Sequence, residues 1–318
     1  MQGTGFRYMV QTQQPRIKGE ILLARARDAW VPAWPQKVRA ILAMCGDRYV
    51  SAAKISTVIL EDYGLTFRLF RLMNSAFFSV HRKDLVSIRY MVVLLGLENL
   101  AHAVSKAHVL RPVKRVSFTR DINLFFIARG VFASLLALHL AYEAKCDTEK
   151  TAIVAMFRNL GEVVASLVIP QIVLSSLKAG SPVIDEAKFK KSCGGYSPEN
   201  LGFELARNWN MPELIRLAIC PSRFNLETRE DEEQRLFVLA DLARELILQG
   251  LMKHKRSGNK RMRFTRKSLR DDYNLDDKTI DYAFSNAIME LYRKNGFFYK
   301  ILDSQGLFDF ILNSNETY

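Results

Sequence analysis

Apolar positions recur along this chain at the three-and-four spacing of an amphipathic helix. Leu65, Leu69, Leu72 and Ala76 form one such stripe. Ile88, Met91, Val92 and Leu95 form a second, behind Ser87, a residue type that caps helix starts. Gly96 is expected to separate that helix from another with Leu97, Leu100 and Val104 on its inner face. The series Ile153, Met156, Phe157, Leu160, Val164 and Leu167 predicts a single helix opened by Asp147 or Thr148. Ser197, Pro198 and Glu199 combine a cap, a first-turn proline and an acid at the positive end of the helix dipole. Trp209 is expected to close that helix and Pro212 to open the next. Glu232 to Leu248 predicts one more. Strict alternation is absent before residue 250, so residues 25–250 are expected to form an all-α bundle, preceded by an extension over 1–24.

The pattern changes at Gly250. Ser257, Gly258 and Asn259 suggest a loop, so 251–267 is expected to be a basic linker. Residues 268–318 then predict a small α+β module. It would hold a short helix over Ser268–Tyr273 and a longer one over Asp276–Arg293. Ile280, Ala283, Phe284, Ala287, Ile288 and Leu291 are in register on the second. Phe297–Leu302 and Leu307–Leu312 flank Asp303, Ser304, Gln305 and Gly306, a hairpin signal, which would make the module winged-helix-like.

Composition adds a bound. The chain has 318 residues, 49% of them hydrophobic and 25% charged, which is ordinary globular material. The N-terminus has no apolar segment of the kind a secretion signal needs. The apolar run Leu124–Tyr142 is interrupted by Arg129 and His139 and is expected to be a core helix. Cys45, Cys146, Cys193 and Cys220 show no metal or disulfide spacing. A cytoplasmic protein of bacterial style, with no membrane partner, is expected.

Charge adds more. The formal net charge is +13. Lys253, Lys255, Arg256, Lys260, Arg261, Arg263, Arg266, Lys267 and Arg270 lie in one stretch without an acid, and the remaining chain is left at +4. That stretch has the composition of a nucleic-acid or phosphate patch. The alternative is a solvated linker, because the next helix offers Asp277, Asp281 and Glu290.

Phosphate loops, dinucleotide fingerprints, zinc-protease motifs and nucleophile elbows are all missing. His102 and His108 are six apart and do not share a helix face as a metal pair would. Arg158 and Glu162, four apart, suggest a surface ion pair.

Five segments in order nevertheless resemble a known family. Val31–Pro35, Leu69–Phe78 with Asn74, Ser75, Phe77 and Phe78, Ile88–Leu100, Leu201–Glu213, and Leu239, Ala240 and Asp241 are similar to successive motifs of the HDOD domain. This is the HD-related output domain of bacterial signalling proteins. The resemblance implies an HD-like helical bundle. Metal-dependent HD hydrolases use histidine and aspartate ligands, which activate a bound water. At the corresponding positions this chain has Arg129, then Arg158 and Asn159, and only Asp241 keeps its type. Ile219 to Ser222 stands where further histidines belong. Arginine has no free lone pair for a metal and is permanently cationic. No metal, cofactor or catalysis is therefore expected. Asp241 is expected to pair with Arg129 or Arg158, with a small-ligand pocket as the alternative. Asn74 and Ser75 are expected to bond to backbone and Phe77 and Phe78 to be core, with a partner-facing surface as the alternative for all four. The resemblance implies a regulatory protein acting on a protein partner in a signalling pathway. A nucleic-acid-binding regulator using residues 253–270 and the C-terminal module is the alternative.

Overall fold

The computed structural model describes residues 15–75, 85–110, 121–179, 181–223, 231–251, 256–305 and 307–308, with the side chains of 231 and 256–264 left aside. Sixteen helices follow in chain order: α1 Gly19–Arg27, α2 Pro35–Cys45, α3 Ala52–Leu60, α4 Tyr63–Met73, α5 Ile88–Ser105, α6 Ile122–Glu143, α7 Thr148–Phe157, α8 Leu160–Val168, α9 Pro170–Ser175, α10 Glu186–Ser192, α11 Pro198–Asn208, α12 Glu213–Ile219, α13 Asp231–Leu251, α14 Arg256–Tyr273, α15 Asp277–Lys294 and α16 Gly296–Asp303. Among the described residues no sheet forms. Two isolated bridges, Ala33 to Val109 and Leu177 to Ile184, tie loops together.

The expected caps are in place. Ser87, Asp147, Ser197 and Asp276 each accept a hydrogen bond from a backbone N–H in the first turn of α5, α7, α11 and α15. Trp209 ends α11, and its Nε1 donates to the Arg27 carbonyl at 3.1 Å. Gly96 has φ 71° and ψ 166°, so α5 is two helical pieces meeting at a residue that tolerates positive φ.

α6 is the hub. It is apolar nearly all round and buried along most of its length, with α7, α13, α15 and α16 packed against it. α6 and the α7–α8 pair are long and apolar enough to cross a membrane by length and composition, but 89% and 83% of their apolar windows are buried inside the fold. α2, α3 and α4 pack with α5 at the N-terminal side. α8 lies on α11 so closely that a Cβ on Gly161 would stand 1.7 Å from the Pro198 carbonyl oxygen.

Several expectations are corrected. The single helix through Leu167 is two, α7 and α8, broken at Arg158 and Asn159. Asn159 turns its amide to the Phe126 carbonyl on α6, 2.8 Å away, and adopts non-helical angles. The loop at Ser257, Gly258 and Asn259 lies inside α14, so most of the expected linker is helix. One glycine in a helix costs only about 1 kcal/mol. Leu269 and Tyr273 are buried further along, and the Tyr273 hydroxyl donates to the Arg235 carbonyl at 2.6 Å.

The first hairpin strand is helix α16, with Phe298, Ile301 and Leu302 buried at helical spacing. Tertiary packing overrides the strand propensity of its aromatics. Beyond Phe308 the expected second strand lies outside the described residues. The C-terminal helices also share the main core, contrary to an appended module. Phe132 of α6 meets Phe284 and Phe308, with centroids at 6.2 and 5.3 Å, and Trp34 meets Phe297 at 4.9 Å. Lys294 reaches Glu61 at 2.6 Å, and Asn295 donates to the Glu61 carbonyl at 3.0 Å.

Candidate functional site: an arginine cleft

The α7–α8 break, α6, α11 and α13 bring the four HD-like positions together. Arg158 leaves the C-terminal end of α7 and extends across the fold. Its Nε donates to Asp241 of α13 at 3.0 Å, and its Nη1 donates to Glu199 of α11 and to the Ile219 carbonyl, both at 2.9 Å. Burial pulls this guanidinium below the usual arginine value, but Asp241 and Glu199 outweigh it and hold it above.

Arg129 stands on α6, 2% exposed, and pairs with Glu162 of α8, itself buried. Its guanidinium also lies over the Phe126 ring at 4.9 Å. Burial depresses it, Glu162 opposes that, and Arg244 adds repulsion. Asp241 therefore pairs with Arg158 and not with Arg129. The expected Arg158–Glu162 surface pair is replaced by a buried Arg129–Glu162 pair. The helix break moves Arg158 and Glu162 out of the four-residue register that one continuous helix would give.

Arg244 of α13 completes the site. It follows Asp241 by three residues and shares its helical face, a spacing from which its place beside the site could be read. It makes one long contact, 3.4 Å to Glu245. A small cleft of about 90 Å³ is lined by Arg158, Asn159, Glu162, Glu199, Arg244 and Glu186, among others. A smaller space behind it is lined by Arg129, Ala133, Ala155, Arg158, Asn159, Arg244 and Ile247. Three buried polar atoms here have no protein partner: Arg129 Nη1, Arg244 Nε and Asn159 Oδ1.

A divalent metal does not fit these residues. The unpartnered buried nitrogens are guanidinium donors that would repel a cation, and the neighbouring carboxylates already accept from arginines.

The other expected residues lie elsewhere. Asn74 and Ser75 close α4, donating to the Phe70 and Leu72 carbonyls at 2.8 and 2.7 Å, so both bond to backbone. Phe77 and Phe78 lie outside the described residues. His108 is beyond the end of α5 and stacks on Trp30 at 5.8 Å, so it does not share a helix with His102. Lys253 and Lys255 are outside the described residues, and Arg256, Lys260, Arg261 and Arg263 are placed only as helix positions. Arg266 pairs with Asp277 and Asp281 at 3.3 and 2.6 Å, and Arg270 pairs with Asp277 at 3.3 Å. Lys267 is exposed.

Comparison with known proteins places the fold. The HDOD domain pattern matches residues 31–222. An uncharacterized protein of Treponema pallidum (strain Nichols) is 27% identical over 213 residues, covering 65% of this chain and 39% of that protein, so the chain spans less than half the length of this relative. A virulence factor from Campylobacter jejuni subsp. jejuni has a similar structure, with TM-score 0.56 and 17% identity over 88% of this chain and 96% of that one. The MmoQ response regulator from Methylococcus capsulatus str. Bath is similar at TM-score 0.56 and 16% identity, over 80% of this chain and 98% of that one. At these identities the two structures share the fold.

Proposed function

The chain belongs to the HDOD domain family, and on that premise we propose that it is a non-catalytic regulatory protein of the cytoplasm, relaying a signal through protein contacts. The observation that carries this reading is Arg129 and Arg158 at two HD ligand positions, each neutralised by acids of neighbouring helices. A site built this way offers hydrogen-bond donors where a hydrolase needs lone pairs. Exposed apolar rows support the contact role: Tyr282, Met289 and Tyr292 on α15 are 61%, 48% and 61% exposed, and Val93 and Leu94 on α5 are 61% and 41% exposed.

The test is hydrolysis of cyclic dinucleotides and simple phosphodiesters by the full chain with added manganese or magnesium, run beside in-cell cross-linking in the native host. No turnover, with cross-links from α15 or α5 to one recurring protein, is the expected result. Turnover, or no recurring protein, overturns the reading.

A second reading, nucleic-acid binding, has one observation in its favour. Because α14 is helical, positions 256, 260, 263, 267 and 270 fall on one face by spacing alone, opposite buried Thr265 and Leu269. The pairing of Arg266 and Arg270 with α15 acids counts against it. Under this reading Arg263→Glu with Lys267→Glu lowers the salt slope of duplex DNA binding. An unchanged slope removes it.

A further inference from the structure

α15 carries two rows at helical spacing. The inner row, Ile280, Ala283, Phe284, Ala287, Ile288 and Leu291, is buried, and α15 packs on α6. The outer row is Tyr282, Ser285, Met289 and Tyr292, stepping by three, four and three residues. That alternation is the a and d pattern of a helix that packs along its length against another helix. A helix that only covers a core needs one apolar stripe and turns a polar face outward. Here the outer face shows solvent two tyrosines and a methionine, residue types enriched at protein contacts.

The polar groups along this row bring their own partners, so covering them strands little. The Ser285 hydroxyl donates to the Asp281 carbonyl at 2.9 Å. Asp281 accepts from Arg266 at 2.6 Å, and Glu290 is held by His139 and Lys294 at 2.8 and 2.6 Å. The Tyr292 ring is braced edge-on by Tyr299, with centroids 5.2 Å apart.

The row also complements itself. It is symmetric about Ala287: Tyr282 and Tyr292 lie five residues to either side, Ser285 and Met289 two. When two copies of α15 run antiparallel about a two-fold axis at that point, Tyr282 of each faces Tyr292 of the other. Small Ser285 of each then faces long Met289 of the other. Every pair occurs twice, as a closed two-fold interface requires. Asn286 lies beside the axis, and its amide can both donate to and accept from its own copy. Charge selects the same direction. Residues 276–281 hold three aspartates and one lysine, whereas residues 293–300 hold three bases and no acid. Antiparallel pairing sets the acidic start against the basic end, and parallel pairing would set like against like.

We propose that the outer face of α15 is the interface of an antiparallel, two-fold symmetric homodimer of this chain. The helix has 18 residues and so is about 27 Å long and about 10–12 Å wide. Its face alone supplies less than the roughly 800 Å² per partner of a standard interface, so the dimer is weak and concentration-dependent. The inference does not rest on the non-catalytic reading, because no residue of the arginine cleft takes part. Cross-links from α15 then fall on a second copy, and those from Val93 and Leu94 on α5 report the signalling partner.

The experiment is sedimentation velocity of the full chain from about 1 to 200 µM, a range that brackets a micromolar Kd. Salt at about 0.5 M screens the repulsion between two chains of net charge +13. The sedimentation coefficient is expected to climb from monomer to dimer across that range. Met289→Asp, at an exposed position that leaves the fold intact, should weaken association at least about tenfold. Tyr282→Glu and Tyr292→Lys test the register. Each variant alone should associate more weakly than wild type. Mixed, the two chains meet through one Glu–Lys layer and one native tyrosine layer, and should associate at least about tenfold more tightly than either alone. A monomer at every concentration, a dimer indifferent to Met289→Asp, or a mixture no tighter than its components overturns the proposal.

Discussion

Arg158 and Asp241, 83 residues apart in the chain, meet at 3.0 Å and link the end of α7 to α13. The Asp241 carboxylate is 48% exposed, while the neighbouring pair of Arg129 with Glu162 is almost fully enclosed. Two superficially similar ion pairs therefore differ in what their loss costs.

Asp241→Asn should destabilise by no more than about 1 kcal/mol, because a half-exposed pair is screened by solvent. Glu162→Gln leaves a buried guanidinium uncompensated and should cost about 3–5 kcal/mol. Arg129→Met combined with Glu162→Leu should recover most of that loss. Urea unfolding of the four proteins checks the ordering. A double variant as unstable as Glu162→Gln contradicts it.

Gly161 is required by the approach of α8 to α11. An added Cβ would stand 1.7 Å from the Pro198 carbonyl oxygen, which is backbone and cannot swing aside. Gly161→Ala should destabilise by at least about 3 kcal/mol, the upper end of ordinary overpacking. Gly195→Ala, where the space is open but φ is 90°, tests strain without a clash and should cost less. Thermal unfolding of the two variants separates the effects.

Asp62 caps α4 by accepting from Leu65 N–H at 2.9 Å and from Trp34 N–H at 2.6 Å, and it is buried. Burial dominates these bonds and pushes its carboxyl up to about 6. Folding then takes up a proton between the ordinary value of 3.8 and about 6. The stability from that proton is complete below the lower value and is lost as pH rises through the upper one. Relative to Asp62→Asn, the wild type should lose on the order of 2–3 kcal/mol between pH 4 and pH 7. A gap that widens with pH is the contrary result, seen by denaturant unfolding at each pH.

The C-terminal helices complete the core around α6. Removing residues 252–318 uncovers Phe132 and Trp34, whose aromatic partners are Phe284, Phe297 and Phe308. Such a truncation should lose cooperative unfolding and bind a hydrophobic dye. A sharp thermal transition with no dye binding would show instead that the first 251 residues stand alone.

Much of this was legible in the chain. Caps such as Ser197 and Asp276 and buried series such as Ile280 to Leu291 act within one helix, so their spacing specifies them. The four HD-like positions were legible by order alone. The partners were not. Glu162 pairs with Arg129 only because the chain breaks at Arg158 and Asn159, and that break depends on an acceptor carbonyl 33 residues away. The α16 segment reads as a strand in sequence for a related reason. Phe297 and Phe298 have strand propensity, and their contact with Trp34 is set by the tertiary fold. Arg244 carried a usable signal in its spacing from Asp241, although its unpartnered nitrogen is visible only in three dimensions.

On the proposed reading, Arg129 and Arg158 stand where a metal would need ligands. The most direct measurement is the metal content of the full chain, purified without chelator and dialysed against manganese, iron and zinc, by plasma mass spectrometry. The account predicts metal far below one ion per chain, unchanged by Asp241→Asn. Stoichiometric metal that Asp241→Asn removes would contradict it.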